Sequence, residues 1–204
     1  MKKILIATTN PGKLSEIKYF LKDLPVELVG LADLGIRQKV IEDGQTFEEN
    51  AKKKALFYAK ISGLPTIADD GGLEIDILNG EPGVKSRRWI NNEEASDEEL
   101  IDYTIKCLKG VPQSKRSARL KAALVLAFPS GEVFTSEEFV KGVIAEKQSK
   151  RWTRGFPFRA IFYLPQIKKF YNEKKLTKKE LAKYNHRGKA LKKIKRIIAE
   201  NLLK

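Results

Sequence analysis

The stretch KKILIATTNPGK, residues 2–13, contains a short apolar run followed directly by residues that favour a helix start. Ile4 to Ala7 have the length and composition of a buried strand. Asn10 is a good N-cap, and Pro11 is tolerated in the first turn of a helix. Because a strand that leads directly into a helix is a building block of α/β folds, residues 2–13 predict an α/β protein.

The same alternation continues along the chain. Helices are predicted where an apolar face coincides with a start or stop residue, at 46–63, 96–110 and 190–202. Strands are predicted from short apolar or alternating runs, at 65–68, 73–78, 120–128 and 133–144. The last two would form a hairpin at Pro129-Ser130-Gly131. These patterns predict a single domain over residues 1–204, built on a mixed β-sheet flanked by helices.

The composition predicts a globular protein of the cytoplasm. Hydrophobic residues make up 42% of the chain, which is ordinary for a protein with a buried core. Cys107 is the single cysteine, so no internal disulfide can form and a reducing compartment is expected. No signal peptide or apolar run of about 20 residues is present, so no membrane association is expected.

The positive charge is unevenly distributed. Residues 141–204 contain 20 Lys and Arg against 4 Asp and Glu, a balance of +16, whereas the rest of the chain has a balance of −2. Such a basic region indicates a polyanionic partner, which could be a nucleic acid or a phosphorylated small molecule. The alternative is a solvated surface rich in lysine.

Polar residues in the first turn suggest a phosphate site. Thr8, Thr9, Asn10 and Lys13 follow the first strand and surround a helix N-terminus, where backbone N–H groups and the helix dipole favour an anion. The turn is not a P-loop, because the glycine spacing and the Gly-Lys-Ser/Thr sequence are absent. An ordinary strand-to-helix turn is the alternative.

The segment Asp69-Asp70-Gly71-Gly72 suggests a metal site or a general base. Two adjacent carboxylates repel each other unless a cation binds or one of them takes up a proton. Magnesium needs few carboxylates, because water and substrate phosphates complete its coordination. Glu42 and Glu49 could also reach such an ion. A turn rich in aspartate and glycine is the alternative.

A third polar segment, Asn185-His186-Arg187-Gly188, contains the single histidine and precedes the C-terminal helix. Histidine and arginine side by side could recognise a base edge or a phosphate. A surface histidine in a basic segment is the alternative.

The order of these segments resembles the inosine-triphosphate pyrophosphatase family, which removes non-standard purine triphosphates. The resemblance covers almost the whole chain. It is carried by several motifs, namely 7–13 (ATTNPGK), 42–47 (EDGQTF), 68–73 (ADDGGL), 80–84 (GEPGV), 155–156 (GF) and 186–191 (HRGKAL). The resemblance implies hydrolysis of a nucleoside triphosphate to a monophosphate and pyrophosphate, with Mg²⁺ as the cofactor. It also implies an elongated sheet in two lobes with a central active-site cleft, and a homodimer.

The resemblance also implies roles for individual residues. Asp70 would be the general base and a magnesium ligand, and Asp69 and Glu42 would help to hold the metal. The substrate-binding residues would be Thr8, Thr9, Asn10, Lys13 and Lys54 near the phosphates, and Phe156, His186 and Arg187 near the base. Gly71 and Arg159, which depart from the family pattern, are also expected to contact the substrate. Lys13 would also contribute to catalysis. Metal and lysines would neutralise the phosphates while a carboxylate activates water.

The departures from the family pattern concentrate at the base-binding side. An acidic position after the stacking Phe156 is Arg159, a lysine position is Leu181, and two serine positions are Gly71 and Asn185. Because a guanidinium only donates hydrogen bonds, Arg159 predicts a preference for the O6 and N7 acceptors of 6-oxopurines.

Three other functions are compatible with parts of the sequence. The first is a basic nucleic-acid-binding protein, although the Asp69-Asp70 pair would repel a phosphate backbone. The second is a relative that binds nucleotides without catalysis, which the presence of Lys13, Asp69 and Asp70 argues against. The third is a family member with altered base specificity.

Overall fold

A computed structural model describes residues 1–150, 153–172 and 175–202. Seven strands of these residues form one sheet in the order β2-β1-β3-β4-β5-β6-β7. The strands are β1 (Lys2–Ala7), β2 (Val26–Gly30), β3 (Thr66–Ile75), β4 (Ser117–Ala127), β5 (Val133–Ile144), β6 (Phe162–Leu164) and β7 (Lys169–Phe170). The helices are α1 (Pro11–Leu21), α2 (Phe47–Ser62), α3 (Asp97–Cys107), α4 (Lys178–Tyr184) and α5 (His186–Leu202).

The sheet is mixed, as the sequence predicts. Strand β1 pairs in parallel with both β2 and β3, and Ile6 lies opposite Gly30 and Ile67 in the two registers. Strands β5, β6 and β7 pair antiparallel. Parallel strands need a crossover, which α1 supplies between β1 and β2. The α/β prediction is therefore confirmed.

The predicted helix starts at Asn10, Thr46 and Ser96 are confirmed. The side chain of each accepts hydrogen bonds from the first backbone N–H groups of its helix. Ser96 and Glu99 form a complete capping box. Thr46-Phe47-Glu48-Glu49 also has the sequence of a capping box, but the box is incomplete, because the Glu49 carboxylate accepts from the N–H of Gln45 instead.

The prediction that Asp69-Asp70-Gly71-Gly72 breaks a strand is wrong, because β3 runs through it without interruption. The glycine at 72 is explained by packing. A Cβ atom there would overlap the side chain of Ser86, whose Oγ accepts from the Leu73 N–H at 3.0 Å and donates to the Gly83 carbonyl at 2.6 Å. Glycine in a strand commonly marks such a close approach.

Helix α5 begins earlier than predicted. His186 and Arg187 lie in its first turn rather than before it. The preceding helix, α4, was not predicted. It ends at Tyr184, and the N–H of the capping residue Asn185 donates to the Leu181 carbonyl at 2.9 Å. The two helices thus follow each other with Asn185 as the single intervening residue.

The described residues group into two compact units. The first unit comprises 1–70, 122–138 and 187–204, and the second comprises 71–121 and 139–186. Each has its own apolar core. In the first unit, residues of β1, α1, β4 and α5 pack together, including Ile4, Ile17, Leu124 and Ile194. In the second unit, Leu73, Leu100, Phe162 and Tyr171 belong to the core. The single domain predicted over 1–204 stays a prediction.

None of the helices in the described part of the chain is long and apolar enough to cross a membrane.

Candidate active site

The turn between β1 and α1 holds the first predicted phosphate ligands. Asn10 Oδ1 accepts hydrogen bonds from the N–H groups of Gly12 and Lys13, at 2.9 and 3.2 Å. Thr8 Oγ1 accepts from the Asn10 N–H at 3.1 Å, and Thr9 is exposed. Two N–H groups that the sequence offered to a phosphate therefore already have a partner. Asn10 orders the turn by capping the helix that follows it.

Asp69 lies at the centre of a buried ion-pair network in the first unit. Its Oδ1 contacts the ammonium of Lys13, and its Oδ2 accepts from Arg187 Nε–H at 2.7 Å. Arg187 Nη1 also donates to Glu16 Oε2 at 3.0 Å. Burial alone would raise the pKa of Asp69, but Arg187 and Lys13 hold it well below its usual range. Asp69 is therefore a carboxylate that stays ionised and fixes two cations.

Arg187, predicted to bind the base, is buried in ion pairs. Its side chain is 4% exposed and engages two carboxylates. Burial opposes the charged form, but Asp69 and Glu16 raise the pKa of Arg187 above its usual value. Its predicted role in reading a base edge stays a prediction. Its contacts show a different role, in which it orients the Asp69 carboxylate that pairs with Lys13.

Asp70, the predicted general base, is half-buried at the last position of the first unit. Burial raises its pKa, and although Lys54 and Lys13 oppose this, Glu42 and Asp69 add to the rise. Its neighbour in the network, Lys54, donates to Glu42 Oε2 at 2.7 Å and to the Asp69 carbonyl at 3.1 Å. Burial lowers the pKa of Lys54, yet Asp70, Glu42 and Asp69 raise it overall. A carboxylate with a raised pKa is suited to accept a proton.

We call these residues of the first unit the charged cluster: Lys13, Glu16, Glu42, Lys54, Asp69, Asp70 and Arg187. The predicted residues Lys13, Glu42, Lys54, Asp69 and Asp70 are thus brought together.

The carboxylates of the charged cluster suit magnesium better than a metal that needs a full protein cage. No group of three or more His, Cys, Asp or Glu side chains in the described ranges is arranged to hold a metal ion. Magnesium requires only one or two carboxylates, because it retains several waters. Glu42 has 33% of its side chain exposed, which leaves room for a hydrated ion, whereas the Asp69 side chain is 0% exposed. The donor set therefore fits magnesium through Asp70 and Glu42, while the predicted ligation by Asp69 would require displacing Lys13.

The second unit contains a different group, which we call the aromatic cluster: Phe156, Arg159, Tyr171 and His186. Arg159 lies in a 3₁₀ turn, Pro157–Ala160, and is 6% exposed. Its guanidinium carbon lies 3.8 Å from the centre of the Phe156 ring and 5.1 Å from that of Tyr171. The Tyr171 hydroxyl is 3.3 Å from His186 Nδ1. Three predicted base-binding residues are thus neighbours, and Gly71 lies elsewhere in this unit, within β3.

A buried carboxylate holds the segment that carries Phe156. Asp97, in the first turn of α3, accepts from the Gly155 N–H at 2.6 Å through one oxygen and from Arg87 Nη1 at 2.5 Å through the other. Gly155 has a φ of 83°, which a residue with a side chain rarely adopts. Asp97 and Gly155 together therefore fix the backbone position from which the Phe156 side chain extends.

Two departures at the base-binding side have packing explanations. Leu181, which replaces a lysine of the family pattern, packs against the core of the second unit. Asn185 is buried and ends α4. Neither residue brings a positive charge to the aromatic cluster, so Arg159 supplies the charge there.

Three residues of the site are not predicted from the sequence: Glu16, Asp97 and Tyr171. Glu16 lies three residues after Lys13, on the same face of α1, and a carboxylate beside the apolar Ile17 was a usable signal. Asp97 lies in the predicted helix 96–110, but nothing in the sequence connects it with Gly155, 58 positions away. Nothing in the local sequence connects Tyr171 with His186, because the two residues are 15 positions apart and no periodicity links them.

An α/β fold that gathers lysines around a half-buried aspartate is typical of enzymes that act on phosphoanhydrides. Solved structures of similar proteins have the same fold. A HAM1 protein from Coxiella burnetii superposes with a TM-score of 0.82 and 33% identity, over 98% of this chain and 100% of that chain. A nucleoside-triphosphatase / dITP/XTP pyrophosphatase from Mycobacterium abscessus superposes with a TM-score of 0.73 and 36% identity, over 94% of this chain and 98% of that chain.

The sequence profile of the Ham1 family matches residues 4–197, and the chain belongs to the Ham1 family. The dITP/XTP pyrophosphatase of Thermus thermophilus is 43% identical over 189 residues, which are 93% of this chain and 88% of that protein. The dITP/XTP pyrophosphatase of Bacillus subtilis is 40% identical over 198 residues, which are 97% of this chain and 98% of that protein. The family resemblance inferred from the sequence is confirmed.

Proposed function

We propose that this protein hydrolyses non-standard purine nucleoside triphosphates, such as those of inosine and xanthine, to the monophosphate and pyrophosphate. The observation that carries the proposal is the charged cluster, in which Lys13, Lys54 and a half-buried Asp70 interact within one unit. Relatives named dITP/XTP pyrophosphatase, similar over nearly the full chain, support the same activity.

Asp70 acts as the general base in this proposal. A water molecule attacks the α-phosphorus, and its proton passes to the Asp70 carboxylate. The bond between the α-phosphorus and the bridging oxygen breaks, and pyrophosphate leaves with the bonding electron pair. The raised pKa of Asp70 favours proton acceptance, because a stronger base is a better match for water.

Lys13 and Lys54 stabilise the negative charge that develops on the phosphate oxygens. Both ammonium groups are already oriented by carboxylates, Lys13 by Asp69 and Lys54 by Glu42. Such orientation lowers the reorganisation that the reaction requires. Asp69 thereby contributes through Lys13 and Arg187.

Mg²⁺ is the proposed cofactor, held by Asp70 and Glu42, and when bound it supplies positive charge that neutralises the phosphates. Thr8, Thr9 and Asn10 are proposed to contact the phosphate chain from the turn before α1.

The aromatic cluster is proposed to recognise the base. Phe156 offers a ring face for stacking, and Arg159 and His186 offer hydrogen-bond donors. Donors match the O6 and N7 acceptors of 6-oxopurines, whereas adenine presents an amino group at position 6. Preference for a 6-oxopurine follows from this polarity.

The basic C-terminal region gives weaker support to nucleic-acid binding. Two lysines of α5 pair with acidic residues of the same unit, Lys193 with Glu138 at 2.9 Å and Lys195 with Asp23. These pairs reduce the charge available to a polyanion. The homodimer and the cytoplasmic location expected from the sequence remain part of the proposal, and sedimentation velocity tests the dimer.

Release of pyrophosphate from a panel of nucleoside triphosphates tests the proposed function. We expect rapid release from ITP and XTP with magnesium, and loss of activity when EDTA removes the metal. Product analysis should find the monophosphate. Diphosphate and orthophosphate would show that a different bond is cleaved, and the absence of any hydrolysis across the panel would refute the proposal.

A further inference from the structure

His186 is the single histidine of the chain and is 3% exposed. Its Nδ1 lies 3.3 Å from the Tyr171 hydroxyl, and the two ring centres are 5.8 Å apart. Tyr171 is itself fully buried, and its ring packs edge-on against Phe162 at 6.2 Å. The hydroxyl is therefore fixed in position against one specific nitrogen of the imidazole.

The direction of this hydrogen bond determines the tautomer of the histidine. A neutral imidazole carries one proton, so one ring nitrogen donates and the other accepts. If the tyrosine donates, Nδ1 accepts and the proton resides on Nε2. If Nδ1–H donates to the tyrosine oxygen, Nε2 is an acceptor.

The surroundings of Tyr171 favour the tyrosine as the donor. A phenolic oxygen shares its lone pair with the ring, which makes it a weaker acceptor than the sp² nitrogen of imidazole. The guanidinium of Arg159 lies 5.1 Å from the centre of the Tyr171 ring. A positive charge at this distance draws electron density from the phenol and strengthens its O–H as a donor.

We propose that Tyr171 is a positioning residue that holds His186 in the tautomer with its proton on Nε2, so that the histidine presents a donor and selects bases with an acceptor at position 6. This inference rests on the proposed role of His186 at the base. An Nε2–H group matches the O6 atom of hypoxanthine, xanthine or guanine. It opposes the amino group of adenine, where donor would meet donor.

Nitrogen-15 NMR of histidine-labelled protein tests the tautomer directly, because a single histidine gives an unambiguous pair of ring signals. In the wild type, we expect the protonated nitrogen to be Nε2 and Nδ1 to show the shift of an unprotonated nitrogen. In Tyr171→Phe, which keeps the ring and removes the hydroxyl, we expect a mixture of tautomers. Tyr163→Phe is the matched control, because Tyr163 belongs to the same unit and packs on Phe170 instead.

Kinetics then test the consequence for selectivity. Tyr171→Phe should lower the ratio of kcat/KM for ITP to that for ATP by about tenfold, mainly through a higher KM for ITP. Tyr163→Phe should leave the ratio unchanged. A protonated Nδ1 in the wild type would overturn the proposal, and this measurement stands even if Tyr171→Phe does not fold.

Different results would refute base selection through His186 and the proposed hydrolysis. An unchanged ITP-to-ATP ratio in Tyr171→Phe, with the tautomer shifted, would refute selection through His186 while leaving the hydrolysis reaction intact. Loss of hydrolysis of every nucleotide by the wild type would refute the proposed function, whereas the NMR spectrum would still report whether Tyr171 sets the tautomer.

Discussion

The charged and aromatic clusters hold their buried cations in different ways. In the charged cluster, Arg187 pairs with the carboxylates of Glu16 and Asp69, and Lys13 pairs with the other oxygen of Asp69. Arg159 instead lies over the faces of Phe156 and Tyr171. Breaking a buried ion pair is costly, whereas a contact between a cation and an aromatic ring is weaker and less directional. We therefore expect the charged cluster to determine turnover and stability, and the aromatic cluster to determine which base is accepted.

The largest expected effect is on turnover. Asp70→Asn preserves size but removes the proton acceptor, so kcat should fall by about 10²- to 10⁴-fold for every nucleotide alike. Steady-state pyrophosphate release measures this, with Asp43→Asn as an exposed control from the same unit. A folded Asp70→Asn protein with near-normal turnover would remove Asp70 from the mechanism.

The pH dependence provides a second readout of Asp70. Because burial raises its pKa, followed by the effects of Glu42 and Asp69, the base is protonated at a higher pH than an ordinary aspartate. Magnesium bound at Asp70 opposes this rise, so activity should decline in acid, where a proton displaces the metal and blocks the base, and be retained at higher pH. The acid limb should be absent from the residual activity of Asp70→Asn.

The second-largest expected effect is on stability, through the ion pairs of the charged cluster. Asp69→Asn leaves Arg187 with Glu16 as its partner in the ion-pair network, and should lower the free energy of unfolding by about 3–5 kcal/mol. Urea denaturation measures the change, and Asp43→Asn, which lies in an exposed pair, should have little effect. Equal stability of Asp69→Asn and wild type would mean that the network does not support the fold.

The sign of the pH effect on this stability follows from the lowered pKa of Asp69. Its contribution is fully present above the pKa of an unfolded aspartate, about 3.9, and is lost as the pH falls through the lower folded-state pKa. The difference between wild type and Asp69→Asn should therefore be largest near neutral pH and diminish in strong acid.

The smallest expected effect is on base selection. Arg159→Ala should reduce the preference for ITP, XTP and GTP over ATP by about tenfold to a hundredfold, because a matched donor is lost. The kcat/KM values of the four nucleotides measure the ratio, with Arg154→Ala as an exposed control from the same segment. An unchanged ranking would mean that Arg159 does not read the base, and a lower kcat for all nucleotides alike would contradict the division between the clusters.

Local signals made the first half of the site predictable. The β1–α1 turn and the helix starts at Asn10, Thr46 and Ser96 depend on side chains within three residues of the backbone that they cap. The family motifs then brought Lys13 and Asp70 into one prediction.

Contacts between distant residues could not be predicted in the same way. Asp69 and Arg187 are separated by 118 positions, so no periodicity connects them. The glycines after Asp70 predicted a break, because glycine is uncommon in strands, yet at Gly72 a neighbouring side chain required the missing Cβ. In both cases the tertiary packing determined the outcome.

The close approach of Ser86 to Gly72 has a consequence for how this sequence can change over evolutionary time. Any side chain at position 72 would displace the hydroxyl that holds the Leu73 N–H and the Gly83 carbonyl. A substitution at 72 is therefore tolerable only after a second change that withdraws residue 86 and satisfies both backbone groups by other means. Because each single step is unfavourable alone, we expect the two positions to vary jointly among functional descendants of this chain, and an alignment or a library randomised at both sites would show it.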